Sequence, residues 1–301
     1  MRRILLGGAA ALILAACGGA EDTSTTVAEV PPAETAEPAV ETVDPMEAAL
    51  AGDWRSDAEK ARDEFRNPAE TLAFFEVTPD STVIEILPGG GWYTNVLAPY
   101  LASGEGQLIS AIFDVDAFEG ETRTRIEQRN TDFKAKYAAD ADTFGTLEYT
   151  AFSAQSGPLV EPDSVDTVLT FRSMHGFMRG DYAPKFFEDA YVALKPGGVL
   201  GVVQHRLPSM AEQDPRAATG YVHEDFVKAM AVAAGFEFVG GSEVNANPLD
   251  TASHPFGVWT LPPVSRTTDR DGNAPEGFDA AAYEAIGESD RMTLKFRKPA
   301  G

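Results

Sequence analysis

The 301-residue sequence contains a single cysteine, Cys17, close to its N-terminus. One cysteine cannot form a disulfide within its own chain. Beyond residue 17 no thiolate is present to act as a nucleophile or to bind a metal. We therefore expect the chemistry of this protein to come from side chains other than cysteine.

Basic residues are also scarce: the sequence has 24 Lys and Arg but 47 Asp and Glu, which gives a formal net charge of −23. Residues 51–301 alone hold 39 acids and 22 Lys and Arg, a charge of −17. A negative field of this size repels nucleic acid and anionic lipid headgroups. We therefore expect a small-molecule substrate and no nucleic-acid partner, while the composition gives no indication of oligomeric state.

Long hydrophobic runs are missing after the first 16 residues, so no later segment is expected to cross a bilayer. At the N-terminus, Arg2 and Arg3 precede an apolar run over residues 4–16. That run is too short for a membrane-spanning helix and is typical of a signal peptide. It ends in Leu-Ala-Ala followed by Cys17 and Gly18.

The segment that ends at Cys17 resembles the lipobox of bacterial lipoproteins, in which the cysteine is acylated and becomes the new N-terminus. The alternative is an ordinary signal peptide with an incidental cysteine. The resemblance implies a lipoprotein signal peptide over residues 1–17, lipidation at Cys17 and membrane contact through that residue only. Gly18 is similar to the residue that directs such proteins to the outer membrane, facing the periplasm. The expected location is therefore the cell envelope.

Residues 18–47 contain eight acids, no basic residue and no aromatic residue. Such a composition buries too little apolar surface to offset the entropy of ordering, so we predict a disordered tether. Residues 48–301 are long enough for one domain with its own core. Within it, residues 245–290 are rich in Pro, Asp and Gly and predict a long insertion over the ligand-binding edge of a sheet.

Short apolar runs rich in β-branched residues alternate with helical segments through the rest of the chain. This alternation predicts an α/β domain with a doubly wound, largely parallel sheet. The predicted strands cover residues 82–87, 108–113, 146–150, 165–171, 199–204, 236–239 and 292–296.

The first predicted strand contains Glu85 and runs into a turn of Pro88 and three glycines. A strand, a glycine-rich turn and a helix place backbone N–H groups at the carboxyl end of the strand. Glycine lets a ligand approach the backbone closely there. Gly89 and Gly91 are therefore candidates for ligand binding, although a single glycine-rich turn is weak evidence.

Three further segments accompany this turn: Asp114 (or Asp116) after the second strand, residues 166–175, and the Leu-Lys-Pro-Gly-Gly sequence at residues 194–198. Together they resemble class I S-adenosylmethionine-dependent methyltransferases over about residues 68–244, and residues 290–298 suit that family's last strand. The resemblance implies a seven-strand Rossmann-like sheet with an antiparallel last strand. It also implies S-adenosylmethionine as cofactor, bound by Glu85, Gly89, Gly91 and Asp114.

Two candidate catalytic residues, His175 and His205, follow the fourth and fifth predicted strands. Strand-end positions lie at the edge where ligands bind, and histidine is suited to remove a proton from a methyl acceptor. Arg172 and Arg206 are candidates for holding an anionic substrate group, and Tyr93 for stacking on a ligand. The alternative for each is a loop residue paired with backbone or solvent.

A third histidine, His223, follows at the start of a predicted helix, so a site formed with His175 and His205 has suitable ligand types. No close spacing supports it, and we predict no metal site. The leading hypothesis is a methyltransferase acting on a small molecule in the cell envelope. The alternative is a non-catalytic, lipid-anchored binding module that retains the fold for another ligand, because Leu87 stands where the family usually has its first glycine.

Overall fold

The computed structural model describes residues 43–301. The predictions for the signal peptide, for Cys17 and for the tether up to residue 42 lie outside the described residues. Helix α1 begins at Pro45, three residues before the predicted start of the domain, and the Asp44 side chain caps it by accepting from the N–H of Met46 and Glu47.

Seven strands form one sheet in the order β3-β2-β1-β4-β5-β7-β6. All pairings are parallel except those of β7, which runs antiparallel to both β5 and β6. The predicted α/β fold with a seven-strand Rossmann-like sheet and an antiparallel last strand is therefore confirmed. The strands are β1 Thr82–Ile86, β2 Gln107–Phe113, β3 Glu148–Phe152, β4 Val165–Phe171, β5 Leu194–His205, β6 Glu237–Ser242 and β7 Arg291–Arg297.

Helices connect the strands and precede the first of them. Several begin with local signals, such as the capping box of Ser56 and Glu59 and the proline at position 68. The helices are α1 Pro45–Ala51, α2 Asp57–Lys60, α3 Asp63–Arg66, α4 Pro68–Phe74, α5 Thr94–Ala102, α6 Gly120–Ala138, α7 Ala141–Phe144, α8 Met174–Arg179, α9 Ala183–Ala193, α10 Glu224–Ala233 and α11 Ala280–Glu284.

Both faces of the sheet are covered. Successive strand residues point to opposite faces, so Ile84 and Ile86 pack in a core that includes α9 and α10, while Val83 packs in a second core that includes α4 and α5. Two buried cores on either side of one sheet are what a doubly wound fold requires.

The segment between β6 and β7 returns across the carboxyl edge of the parallel strands, with a single turn of 3-10 helix at Gly257–Thr260. Its first part is anchored by the buried Asp250 carboxylate. That group accepts hydrogen bonds from the Tyr221 hydroxyl at 2.9 Å, from the Asp290 N–H at 2.9 Å and from His254 Nε2 at 2.7 Å. The cover over the edge is therefore tied to the body of the domain.

Among residues 43–301, no helix combines the length and the apolar character that crossing a membrane would need.

Candidate functional site

A cavity of about 570 Å³ lies at the carboxyl edge of β1, β4 and β5. Most of its wall comes from four parts of the chain: residues 59–66, the end of β1 with the glycine turn after it, the connection from β4 into α8, and residues 258–264 of the predicted insertion. The remaining wall residues are Phe113, Arg129, Tyr182, His205 and Arg291. Residues 258–264 lie between β6 and β7 in the sequence and line this cavity. A cavity of this size at this edge is typical of small-molecule sites in such sheets.

Glu85 forms part of the cavity wall where β1 ends, and its side chain is only 2 % exposed. One carboxylate oxygen accepts a hydrogen bond from the Thr94 hydroxyl at 2.6 Å. Burial raises the pKa of Glu85 to about 7, against the opposing effects of the Thr94 hydrogen bond and the positive charge of Arg172. The group can therefore take up or release a proton near neutral pH.

The glycine turn presents open backbone to the cavity. Gly89 has a φ of +67°, and no atom lies within 4 Å of the position that a Cβ would occupy there or at Gly90. Gly91 differs, since its φ is +86° and the Tyr137 hydroxyl occupies the place of its missing side chain. Gly91 lies outside the cavity wall, so its glycine serves packing, whereas Gly89 leaves room for a ligand.

Leu87 begins this turn with a φ of +49°, in the left-handed region that favours glycine. The residue that departs from the family's pattern therefore adopts the backbone that a glycine would adopt more cheaply. Its side chain is half-buried and forms part of the cavity wall.

His175 is the second residue of α8 and His205 is the last residue of β5, and their ring centroids are 5.8 Å apart. His175 Nδ1 lies 3.4 Å from the Gln204 amide nitrogen, and His205 Nδ1 lies 2.5 Å from the Ser289 hydroxyl. The structure thus brings both predicted histidines to the cavity wall.

Both histidines are held in the neutral form. Burial, then the charges of Arg179 and Arg172, lower the pKa of His175 to about 4, although the Gln204 hydrogen bond opposes this. Burial lowers the pKa of His205 well below its usual value, and the nearby His175 and Arg291 lower it further. A neutral imidazole has a free ring nitrogen that can accept a proton from an acidic acceptor group.

Tyr93 contributes an aromatic surface to the cavity wall. Its ring stacks on Phe171 with centroids 3.5 Å apart and an interplanar angle of 7°. Its hydroxyl donates to the Arg66 carbonyl at 3.1 Å. The Tyr93 ring therefore packs against Phe171 and also forms part of the cavity wall.

Arg172 follows β4 directly and adopts a left-handed backbone with a φ of +59°. Burial, together with the like charges of Arg291 and Arg62, lowers the pKa of its guanidinium to about 10, against the opposing effect of Glu288. Arg172 therefore places a cation at the cavity wall.

Two predicted site residues lie elsewhere. The Arg206 guanidinium donates to Asp290 at 2.8 Å and to Glu243 at 2.7 Å, and these hydrogen bonds raise its pKa. It lies outside the cavity wall, so the structure does not support a substrate role and shows an ion-paired brace instead. Asp114 also lies outside, in a separate groove, where it accepts from the Ser153 hydroxyl at 2.9 Å and from the Asp116 N–H.

His223 does not join the other two histidines, because its Nε2 lies 2.7 Å from the Ala211 carbonyl oxygen and it is not part of the cavity wall. In the part of the chain that the structure describes, no three histidines or carboxylates are placed to hold a metal ion together.

Several residues of the cavity wall were not foreseen. Arg66 is the last residue of α3, Arg62 directly precedes that helix, and Trp259 comes from the insertion. Arg291 is different, because it pairs with His205 in the register of β5 and β7. The predicted antiparallel last strand carried that signal, since its first residue must lie at the ligand edge.

No protein-family model and no curated protein matches this sequence. Solved structures are similar to it in fold. The (4+2)-cyclase SpnF shares 17 % identity over 83 % of this chain and 86 % of its own, with a TM-score of 0.48. A SAM-dependent methyltransferase from Aquifex aeolicus shares 18 % identity over 68 % of this chain and 94 % of its own, with a TM-score of 0.45. A putative sarcosine dimethylglycine methyltransferase from Galdieria sulphuraria shares 13 % identity over 81 % and 88 %, with a TM-score of 0.45.

Proposed function

We propose that this protein is an S-adenosylmethionine-dependent methyltransferase that acts on a small molecule in the cell envelope. One observation carries the proposal: a buried carboxyl group beside an open glycine turn shares a cavity with two neutral histidines. The first pair suits a cationic ligand held close to the backbone, and the second suits an acceptor that must lose a proton.

The residues present fit one end of the cofactor. S-adenosylmethionine carries a positive sulfonium and a positive ammonium group, and it supplies an activated methyl group when bound. Glu85, with its pKa near 7, would ionise in response to such a cation, and Gly89 would let the ligand lie against the backbone. Asp114 lies outside the cavity, so the proposal rests on Glu85 and Gly89.

Methyl transfer is an in-line displacement, so most of the rate enhancement comes from alignment of donor and acceptor. The aromatic wall of Tyr93 and Phe171 would exclude water and orient the reactants. His175 or His205 would take the acceptor's proton at a ring nitrogen. Their lowered pKa values make both weak bases, so this step suits an acceptor group that is itself acidic.

A non-catalytic binding module is the second candidate. Two observations favour it: the strained Leu87 at the start of the glycine turn and the position of Asp114 outside the cavity. Each removes one feature that the family resemblance would supply to hold the cofactor.

Calorimetric titration of the full-length protein with S-adenosylmethionine and S-adenosylhomocysteine separates the two candidates. We expect micromolar binding that Glu85→Gln weakens by about tenfold or more, because a charged contact is lost. Glu237→Gln is the matched control, since Glu237 is exposed at the start of β6. The absence of heat at millimolar ligand would overturn the methyltransferase proposal.

The anchor is a separate proposal, supported by the single cysteine at the end of the apolar N-terminal run. We expect Cys17→Ser to abolish incorporation of labelled fatty acid and to release the protein from the membrane fraction. Persistent labelling of the Cys17→Ser protein would refute lipidation at this residue.

A further inference from the structure

Four arginines converge on the cavity wall from three parts of the chain, and we call them the arginine cluster: Arg62, Arg66, Arg172 and Arg291. One buried carboxylate, Glu288, serves three of them. It accepts from Arg62 Nε at 2.6 Å, from Arg66 Nε at 2.9 Å and from Arg291 Nη2. A single negative charge is thus shared among three cations.

The cluster keeps donors that the described protein does not satisfy. Both terminal nitrogens of Arg66 and the Nε of Arg291 are buried without a hydrogen-bond partner. Within residues 43–301 the half-buried Arg172 side chain takes part in no ion pair or hydrogen bond, and the charges of Arg291, Glu288 and Arg62 act on it. Buried donors and cations without partners are costly, so such a set is retained where a ligand completes it.

Glu85 does not complete the cluster. Its carboxyl group is bonded to Thr94, and burial leaves it partly protonated near neutral pH. The cavity therefore holds an excess of positive charge in a chain whose formal net charge is −23. An excess of this sign calls for an anionic ligand group.

Flat aromatic side chains lie next to the cluster. The Arg66 guanidinium stands 4.5 Å from the centroid of the Trp92 ring, and Tyr93 and Phe171 continue the wall. A guanidinium binds a carboxylate through two parallel hydrogen bonds, and aromatic faces bind the apolar part of a planar molecule.

We propose that the cavity binds a small carboxylic acid with an aromatic or planar apolar body, whose carboxylate pairs with Arg172. Arg66 and Arg291 belong to the same cavity wall and add to the positive potential. The inference rests on the proposed function only in identifying this acid as the methyl acceptor. The anion site itself follows from the cluster.

The test compares an acid with its neutral counterpart. Benzoate and benzamide have the same shape, and each is titrated calorimetrically into the full-length protein. We expect benzoate to bind and benzamide to bind at least tenfold more weakly, because a charged hydrogen-bonded pair is lost. Equal binding of the two probes, or binding of inorganic phosphate without benzoate, would overturn the proposal.

Substitutions then locate the carboxylate. We expect Arg172→Gln to weaken benzoate binding about tenfold to a hundredfold and Arg172→Lys to weaken it less, because lysine keeps the charge without the paired donors. Arg270→Gln removes the same charge from an exposed residue outside the cavity and should leave binding unchanged. Unchanged binding in Arg172→Gln would contradict the inference.

The stability of Arg172→Gln gives an independent readout. The substitution removes a cation that burial and like charges destabilise, so it should raise the melting temperature. Glutamine keeps a side chain at the same left-handed backbone position, so the backbone strain there is unchanged. A lowered melting temperature would mean that the fold itself satisfies this guanidinium, and would overturn the proposal.

The two proposals fail separately. If S-adenosylmethionine binds and benzoate does not, the anion site is wrong and the methyltransferase proposal stands. If benzoate binds in an Arg172-dependent way and S-adenosylmethionine does not bind, the anion site stands and the protein is a binding module for acids.

Discussion

Glu85 shows how one buried residue couples stability to function. Its carboxyl group is 2 % exposed, and the hydrogen bond from Thr94 only partly offsets the cost of ionising it in the interior. A group placed at such a cost is typical of a binding site rather than of a core.

The cost has a defined pH window. The folded-state pKa of Glu85 is about 7 and its ordinary value is 4.5, so the unfolded chain releases this proton first as pH rises. The contribution of Glu85 to stability is therefore intact below pH 4.5 and lost as the pH rises toward 7. We expect Glu85→Gln to exceed the wild type in free energy of unfolding by about 3 kcal/mol at pH 8 and to match it at pH 4.

Urea denaturation at both pH values measures this difference, with Glu237→Gln as the exposed control. An advantage of Glu85→Gln that is equal at the two pH values would show that burial does not govern this carboxyl group.

His175 and His205 make stability depend on pH in the opposite direction. Because their pKa values are lowered in the folded protein, the free energy of unfolding decreases as the pH falls below about 6.5. The wild type and Glu85→Gln share both histidines, so the difference between the two proteins at one pH reports Glu85 alone.

Single residues were predictable where position along a strand decides their place. Glu85, Arg172, His175 and His205 lie at or just after strand ends, and all four reach the cavity wall. Arg206 also follows a strand end but lies outside the cavity wall, because its guanidinium donates hydrogen bonds to Asp290 and Glu243. Which carboxylates compete for a cation depends on residues distant in the chain, and periodicity does not reveal them.

At the scale of elements, the insertion between β6 and β7 depends on one carboxylate. Asp250 accepts hydrogen bonds from the Tyr221 hydroxyl, the Asp290 N–H and His254. Asparagine at this position loses one acceptor oxygen and brings a donor group that meets other donors. We expect Asp250→Asn to lower the free energy of unfolding by about 2–3 kcal/mol and to expose residues 251–285 to proteolysis.

Limited proteolysis and urea denaturation check this expectation, and Asp271→Asn in the exposed part of the same insertion is the control. If the Asp250→Asn protein resists cleavage as the wild type does, the insertion is held by other contacts.

Some helices and strands were easier to predict from the sequence than others. Long β-branched runs such as those of β1 and β4 were predicted closely, because their burial on both faces needs continuous apolar sequence. Helices of four to six residues, α7, α8 and α11, were not predicted, since one turn has no apolar period to detect. The predicted turn at residues 195–198 instead belongs to β5, with a register shift opposite β4.

At the scale of the whole molecule, the sheet was predictable and the arginine cluster was not. Alternating strands and helices restrict a chain to few topologies, so the order of elements predicted a doubly wound, largely parallel sheet, while the seven strands and the antiparallel last strand came from the family resemblance. The cluster combines Arg62, Arg66, Arg172 and Arg291, which stand far apart in the sequence and are ordinary charged residues taken singly. Only the packing of α3 and β7 against the same edge brings them together.

The positively charged arginine cluster lies in a domain whose formal net charge is negative, and this affects the rate at which an anionic ligand binds. Residues 51–301 carry a formal charge of −17, so an incoming acid meets repulsion before it reaches attraction. Added salt screens the long-range repulsion more than the short enclosed pairing. The association rate constant of an anionic ligand should therefore rise with ionic strength, the reverse of ordinary electrostatic steering.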